Sequence, residues 1–344
     1  MVKKSWILII VGLFSQVFLQ NFPDAFAAER FYEGKTVRII VGFSAGGGFD
    51  VFSRTIARNM RRLIPGNPTI IVENKGGAGS LIAANHIYKA AKPDGLTIGN
   101  IYGGLFLQEL LGLPGIEFDA LKFEYLGAPV NLNGLCVMSK ASGITSFDKW
   151  IASKVPVKLG VTGRGTPTYF APKILNATLG LPIQLVEGYK GLADIRLAVE
   201  SGELAGVCGW GWDSVKAVWT KAIESGDAVV VLLTVPQPHP DLPKVPLAIN
   251  FAKTEEARQL IQSGIHDVDD VTYSYVLPPG TPKERVRILR RAFMDTMTDP
   301  EFLADAKKSR FDVKPLTGEE LERTVARLYQ LSPAVAIRLK EILK

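Results

Sequence analysis

The residues of this sequence best suited to chemistry are glycines, set in short loops between apolar runs and helical patterns. Residues 44–48 read Ser-Ala-Gly-Gly-Gly and residues 76–80 Gly-Gly-Ala-Gly-Ser; further on, residues 163–168 read Gly-Arg-Gly-Thr-Pro-Thr and residues 188–192 Gly-Tyr-Lys-Gly-Leu. Glycine admits positive φ and lets the backbone come close to a bound group. The helix that follows presents unpaired N–H groups and the positive end of its dipole, which together favour an anion. A single loop of this kind is a weak signal, because tight turns and helix caps use the same residues. Asp50 and Ser80 suit helix starts, and Thr166 before Pro167 suits an N-cap followed by proline at the first helical position. Four such loops, two in each half of the chain, are a stronger signal. The candidate ligand-binding residues are Phe43, Ser44, Ala45, Gly46, Gly47 and Asp50 in the first loop and Gly77 and Ser80 in the second. Gly163, Gly165, Thr166 and Thr168 follow in the third, with the aromatics Tyr102, Tyr189 and Trp210 as candidate pocket walls.

Other chemistries have less support. Gly46-Gly47-Gly48 is not G-x-G-x-x-G, and Asp50 follows it at once rather than about 20 residues on, so a dinucleotide fingerprint is absent. Gly34-Lys35-Thr36 is no P-loop, because Glu29 stands where the first glycine would be, and Gly42-Phe43-Ser44-Ala45-Gly46 meets the bare G-x-S-x-G pattern without a histidine motif to serve its serine. The three histidines, His86, His239 and His266, stand in no metal-ligand spacing. No cofactor, no metal and no catalytic residue is expected.

The elements that must hold these loops alternate. Residues 36–43, 69–73 and 96–101 read as strands, and helical patterns cover 49–64 (Val51, Phe52, Ile56, Met60 and Leu63 on one face) and 80–91. The same alternation restarts with strands at 157–161, 183–187 and 204–208. Alternating strands and helices imply parallel sheets covered by helices. Runs at 125–130 and 228–235 suit strands crossing between two units; residues 271–277 read as a strand and 283–343 as mostly helical. The expected fold is α/β and two-lobed, each lobe a mostly parallel sheet flanked by helices. Residues 28–128 plus 236–344 form one lobe and 129–235 an inserted second. Loops at the carboxyl ends of the strands would face a cleft that hinges shut.

The N-terminus reads as an export leader: Lys3 and Lys4, an apolar stretch too short to span a bilayer, then Ala25-Phe26-Ala27 as a cleavage site. Residues 1–27 are expected to be removed in the periplasm. The formal net charge of +6 loses only one unit with them, and a mild positive excess suits anionic ligands. Lysine and arginine are scattered among acidic residues, so no nucleic-acid stripe is present. Cys136 and Cys208 both sit in apolar runs and read as buried free thiols, although an exported protein permits a disulfide.

At the loops the chain resembles the Bug family, the TctC-like substrate-binding receptors of tripartite tricarboxylate transporters. The resemblance rests on Val41-Gly42-Phe43-Ser44-Ala45-Gly46-Gly47-Gly48-Phe49-Asp50, Val72-Glu73-Asn74-Lys75-Gly76-Gly77-Ala78-Gly79 and Pro93-Asp94-Gly95-Leu96-Thr97. It continues through Gly163-Arg164-Gly165-Thr166-Pro167, Gly188-Tyr189-Lys190-Gly191 and Pro278-Pro279-Gly280-Thr281-Pro282. It implies a type II periplasmic binding protein, monomeric, that closes on a small organic acid and delivers it to a membrane permease. A carboxylate would be held by backbone N–H groups, hydroxyls and water rather than by a dedicated arginine. A periplasmic hydrolase and a sensory module without a permease are the alternatives. Two departures stand out: Gly42 replaces the usual proline, and residues 208–212 read Cys-Gly-Trp-Gly-Trp where relatives often carry an acidic residue. The glycines beside Trp210 suggest room for its indole to form a pocket wall.

Overall fold

The computed structural model describes residues 31–309 and 311–344; the expected leader lies outside the described residues. Along the chain come β1 (Thr36–Val41), β2 (Thr69–Asn74), β3 (Thr97–Tyr102) and β4 (Glu124–Ala128). These are followed by β5 (Gly134–Ser139), β6 (Val157–Val161), β7 (Ile183–Glu187), β8 (Gly206–Gly211) and β9 (Ala228–Leu233), then β10 (Tyr273–Leu277) and β11 (Leu316–Thr317). They form two sheets, ordered β11-β4-β10-β3-β1-β2 and β7-β6-β8-β5-β9. The protein is thus α/β with two lobes. In the first sheet β1 runs parallel to β2 and β3, and β10 runs antiparallel to β3 and β4. In the second, β6 is parallel to β7 and β8, while β5 is antiparallel to β8 and β9. The sheets are therefore mixed: β5 and β10, the strands that follow the passages between lobes, bring most of the antiparallel pairings, and short β11 adds one to β4.

β1 reads Thr-Val-Arg-Ile-Ile-Val, and its Val37, Ile39, Ile40 and Val41 are buried on both faces, as a central parallel strand requires. Each such side chain contributes roughly 1.5–3 kcal/mol by leaving water. Helix Gly48–Met60 lays Phe52, Ile56 and Met60 against this sheet. It stops short of the expected residue 64: residues 61–63 tighten into a 3₁₀ turn, and Pro65 forces Ile64 out of the helical region to ψ 127°.

The segment expected to return to the first sheet does so only in part. Leu247 bridges to Leu233 beside β9 and joins the apolar cluster of the second sheet. Helices Glu255–Ile261 and Pro333–Leu343 lie against helix Pro167–Leu179 of the second lobe. The proline-rich composition of 236–246 carries no periodicity that would have shown this.

The two cysteines correct the free-thiol expectation. Cys136 of β5 stands directly opposite Cys208 of β8, with Cα atoms 4.0 Å apart, and their sulfurs are bonded. Their apolar neighbours had suggested burial, and both are fully buried. That they face each other depends on β5 reaching β8 across 72 residues of chain.

Candidate functional site

The first loop is built by Asp50. Its carboxylate accepts from the Gly46 N–H (2.9 Å) and from Asn74 Nδ2 (3.0 Å), and pairs with Arg54 (2.9 Å). Burial alone pushes this carboxyl up, yet the hydrogen bonds from Arg54, Gly46 and Asn74 together hold it below the ordinary carboxylate range. Asp50 is only 3% exposed, and these contacts brace the loop from within. Gly46 needs its φ of +85°, whereas Gly47, the N-cap, has an ordinary φ of −83°. Residues 44–47 are exposed above the unpaired first turn of helix Gly48–Met60. Phe43 lies beside them with its ring 4.3 Å from Phe49. We expect Asp50→Ala to cost about 2–4 kcal/mol of stability through lost charge-assisted bonds. Ligand affinity should fall about ten-fold because the loop loses its brace; calorimetry beside thermal melts of the variant checks both.

The second loop runs through four positive φ values in a row: Gly77 (133°), Ala78 (46°), Gly79 (63°) and Ser80 (79°). Gly77 is exposed, but Ser80 is fully buried, and its Oγ accepts from the Tyr102 N–H (3.2 Å). The Cα of Gly42 lies against that hydroxyl so closely that a Cβ would fall 1.8 Å from it. Gly42 in place of proline therefore accompanies a serine that ties the loops together from beneath. Tyr102 is also buried, 1% exposed, and forms floor rather than wall.

Across from these loops stands the third. Thr162, Thr166 and Thr168 share hydroxyl contacts of 2.8–3.1 Å, and Thr166 donates to the Gly163 carbonyl (2.7 Å) instead of capping its helix. Thr168 is buried and accepts from the Thr162 N–H, whereas Gly163, Gly165 and Thr166 are half-buried. The lobes meet here: a Cβ on Gly79 would lie 3.6 Å from the Gly165 carbonyl oxygen, to which Gln108 Nε2 donates at 3.4 Å. Gln108 belongs to helix Gly104–Leu110 and no sequence pattern marked it.

Tyr189 and Trp210 are placed differently. The Tyr189 hydroxyl donates to Glu203 (2.7 Å), and both rings are half-buried against the apolar cluster of the second lobe. The glycines beside Trp210 give its indole no special freedom. A Cβ on Gly209 would stand 2.1 Å from the Pro167 carbonyl oxygen, and one on Gly211 2.9 Å from Leu132, so both serve close approach of backbone.

A second contact between the lobes was invisible in sequence. Lys216 Nζ lies 3.3 Å from Asp213, 3.2 Å from Asp241 and 3.4 Å from Asp312, which comes from the first-sheet side. Trp212 Nε1 donates to Asp241 (2.8 Å), and His239 stands against the indole. Burial, then the neighbouring Asp312, push Asp213 up to about 6. A carboxyl raised in the folded state contributes stability that is complete below its ordinary pKa and lost as pH rises through about 6. Asp213→Asn, which never ionises, should therefore gain stability relative to the parent as pH rises from 3.8 to about 6, by no more than about 3 kcal/mol over that whole window. Thermal melts of both proteins across that range check it; a pH-independent difference would contradict it.

Comparison with known proteins fits this geometry. The chain matches the profile of the Tripartite tricarboxylate transporter family receptor over residues 52–332. It is 26% identical over 305 residues to a UPF0065 protein encoded in the gbd 5′ region of Cupriavidus necator, covering 86% of this chain and 84% of that one. Among solved structures, the periplasmic binding protein BugD superimposes with a TM-score of 0.67 at 23% identity, over 90% of this chain and 98% of BugD. An R. palustris protein solved with adipate gives 0.69 at 19% identity, over 90% and 97%. These likenesses confirm the two-lobed α/β fold.

Proposed function

The chain belongs to the receptor family of tripartite tricarboxylate transporters, and we propose that it holds a small organic acid between its lobes and delivers it to a permease of that class. Membership makes it a solute-binding protein rather than an enzyme. The observation that carries the organic-acid reading is the exposed loop of residues 44–47 over the open first turn of a 13-residue helix, beside the second loop, whose Gly79 faces Gly165. A helix N-terminus with glycine approach suits a carboxylate, and Arg54 of that helix is already paired with Asp50. That a structural relative was solved with adipate agrees with this choice of ligand.

In this reading Phe43, Ser44, Ala45, Gly46, Gly47 and Gly77 on one lobe and Gly163, Gly165 and Thr166 on the other surround the acid. Asp50, Ser80, Tyr102 and Thr168 support those loops from behind, while Tyr189 and Trp210 stiffen the second lobe. Residues 28–128 with most of 271–344 act as one lobe and 129–235 as the other, with closure about the passages before β5 and β10. The receptor works as a periplasmic monomer after loss of residues 1–27. A thermal-shift screen of the mature protein against mono- and dicarboxylates tests the proposal, since a ligand at 100 times its dissociation constant adds ~2.7 kcal/mol. Failure of every organic acid to raise the melting temperature would refute it.

A further inference from the structure

The candidate seat on helix Gly48–Met60 has one side chain aimed at it that no sequence pattern marked. Tyr273 opens β10, opposite Tyr102 of β3, and is 7% exposed. Its ring is fixed between Phe49 (4.5 Å) and Phe52 (5.2 Å). This puts the phenol oxygen at the helix N-terminus, where a Cβ on Gly48 would lie 3.3 Å from it. Among the described residues the hydroxyl has no hydrogen-bond partner. Tyr275, two residues on, shows the contrast: its hydroxyl meets Ser53 (2.9 Å) and Asn100 (3.0 Å).

The ring is buried, and the hydroxyl at its tip, close to Gly48, is left free to donate to a bound group. Here the free donor, the open first helical turn and the glycine loop converge on one place. We propose that the Tyr273 hydroxyl is the side-chain donor of the first-lobe seat, hydrogen-bonding the same ligand carboxylate that the helix N-terminus holds. The proposal rests on the organic-acid reading above and adds its one neutral, geometrically fixed side-chain contact. Burial, then the charges of Asp213 and Asp269, push this phenol's pKa up, so it keeps its proton and acts as a donor. Pinned by two phenylalanine rings, it selects for an acceptor at one position over the helix. A carboxylate meets that requirement, and a primary ammonium does not.

Tyr273→Phe keeps the ring and removes only the donor. The probes are adipate and acetate, titrated into ¹⁵N-labelled mature protein while the amide signals of Gly47, Gly48 and Phe49 are followed. Those amides should shift in the parent, and the variant's dissociation constant for adipate should rise about ten-fold or more, as for a lost bond to a charged group. The melting temperature without ligand should be unchanged or higher, because nothing in the empty protein loses a partner. Equal dissociation constants in the two proteins would overturn the role of Tyr273 while leaving the seat intact. So would a fall of several degrees in the variant's ligand-free melting temperature, which would make the hydroxyl structural. If neither acid moves those amides in the parent, the seat itself is refuted and this inference falls with it.

Discussion

Replacing Gly47 with valine is expected to weaken acid binding by about a hundred-fold or more, with little change in the melting temperature of the ligand-free protein. The two halves of that result come from different facts. Gly47 has φ −83° and ψ 172°, which valine adopts readily, and around a Cβ built there only the Ser44 carbonyl oxygen comes within 4 Å, at 3.8 Å. The folded protein therefore has room for the side chain. That room is the space above the first turn of helix Gly48–Met60, where a carboxylate must come within ~2.9 Å of the N–H groups. Displacing it forfeits charge-assisted bonds of roughly 1.5–3 kcal/mol each, and two of them account for a hundred-fold or more. Titration calorimetry and thermal melts of the same preparation read both halves. Gly46→Val is the contrasting variant: at φ +85° it should strain the loop and lower stability as well.

The second large effect concerns the bond between β5 and β8. Removing it, as the Cys136→Ala/Cys208→Ala double variant, frees a 72-residue loop in the unfolded chain. In the chain-entropy account this costs ~4 kcal/mol, enough to lower the melting temperature by several degrees. Because both sulfurs are fully buried, reductant should act on the native protein only as fast as it opens. Cys208 stands one residue before Gly209, which packs on the Pro167 carbonyl beside the third loop, so the loosened variant should also bind acid less tightly. Thiol counting under denaturing conditions gives the first check: two free thiols in protein purified from the periplasm would contradict the bond, and none is expected.

What was legible in the sequence was local. Strands, helices and the glycine loops between them follow from periodicity and composition within about 15 residues, and the structure places these loops at the strand ends. Contacts made across the chain were not legible. Gln108 reaches Gly165 over 57 residues, Lys216 reaches Asp312 over 96, and Tyr273 faces a loop more than 200 residues earlier. Each is an ordinary residue type in an ordinary element, and only the joining of two sheets gives it a role. The glycines beside Trp210 were misread for the same reason. Their need for close approach comes from Pro167 and Leu132, which sequence spacing does not bring near. Composition likewise marked the cysteines as buried but could not say that β5 lies beside β8.

The central claim is that an organic acid sits between the lobes with its carboxylate on helix Gly48–Met60, and a structure of the mature protein with adipate tests it most directly. The account predicts a carboxylate oxygen within hydrogen-bond distance of the Gly47 or Gly48 N–H and of the Tyr273 hydroxyl, with the loop of Gly165 closed over it. Another groove, of about 600 Å³, is lined by Gln259, Gln262, Ser263, Asp267 and Arg327, away from these loops. Adipate found in that groove, with the loop of residues 44–48 empty, would contradict the account.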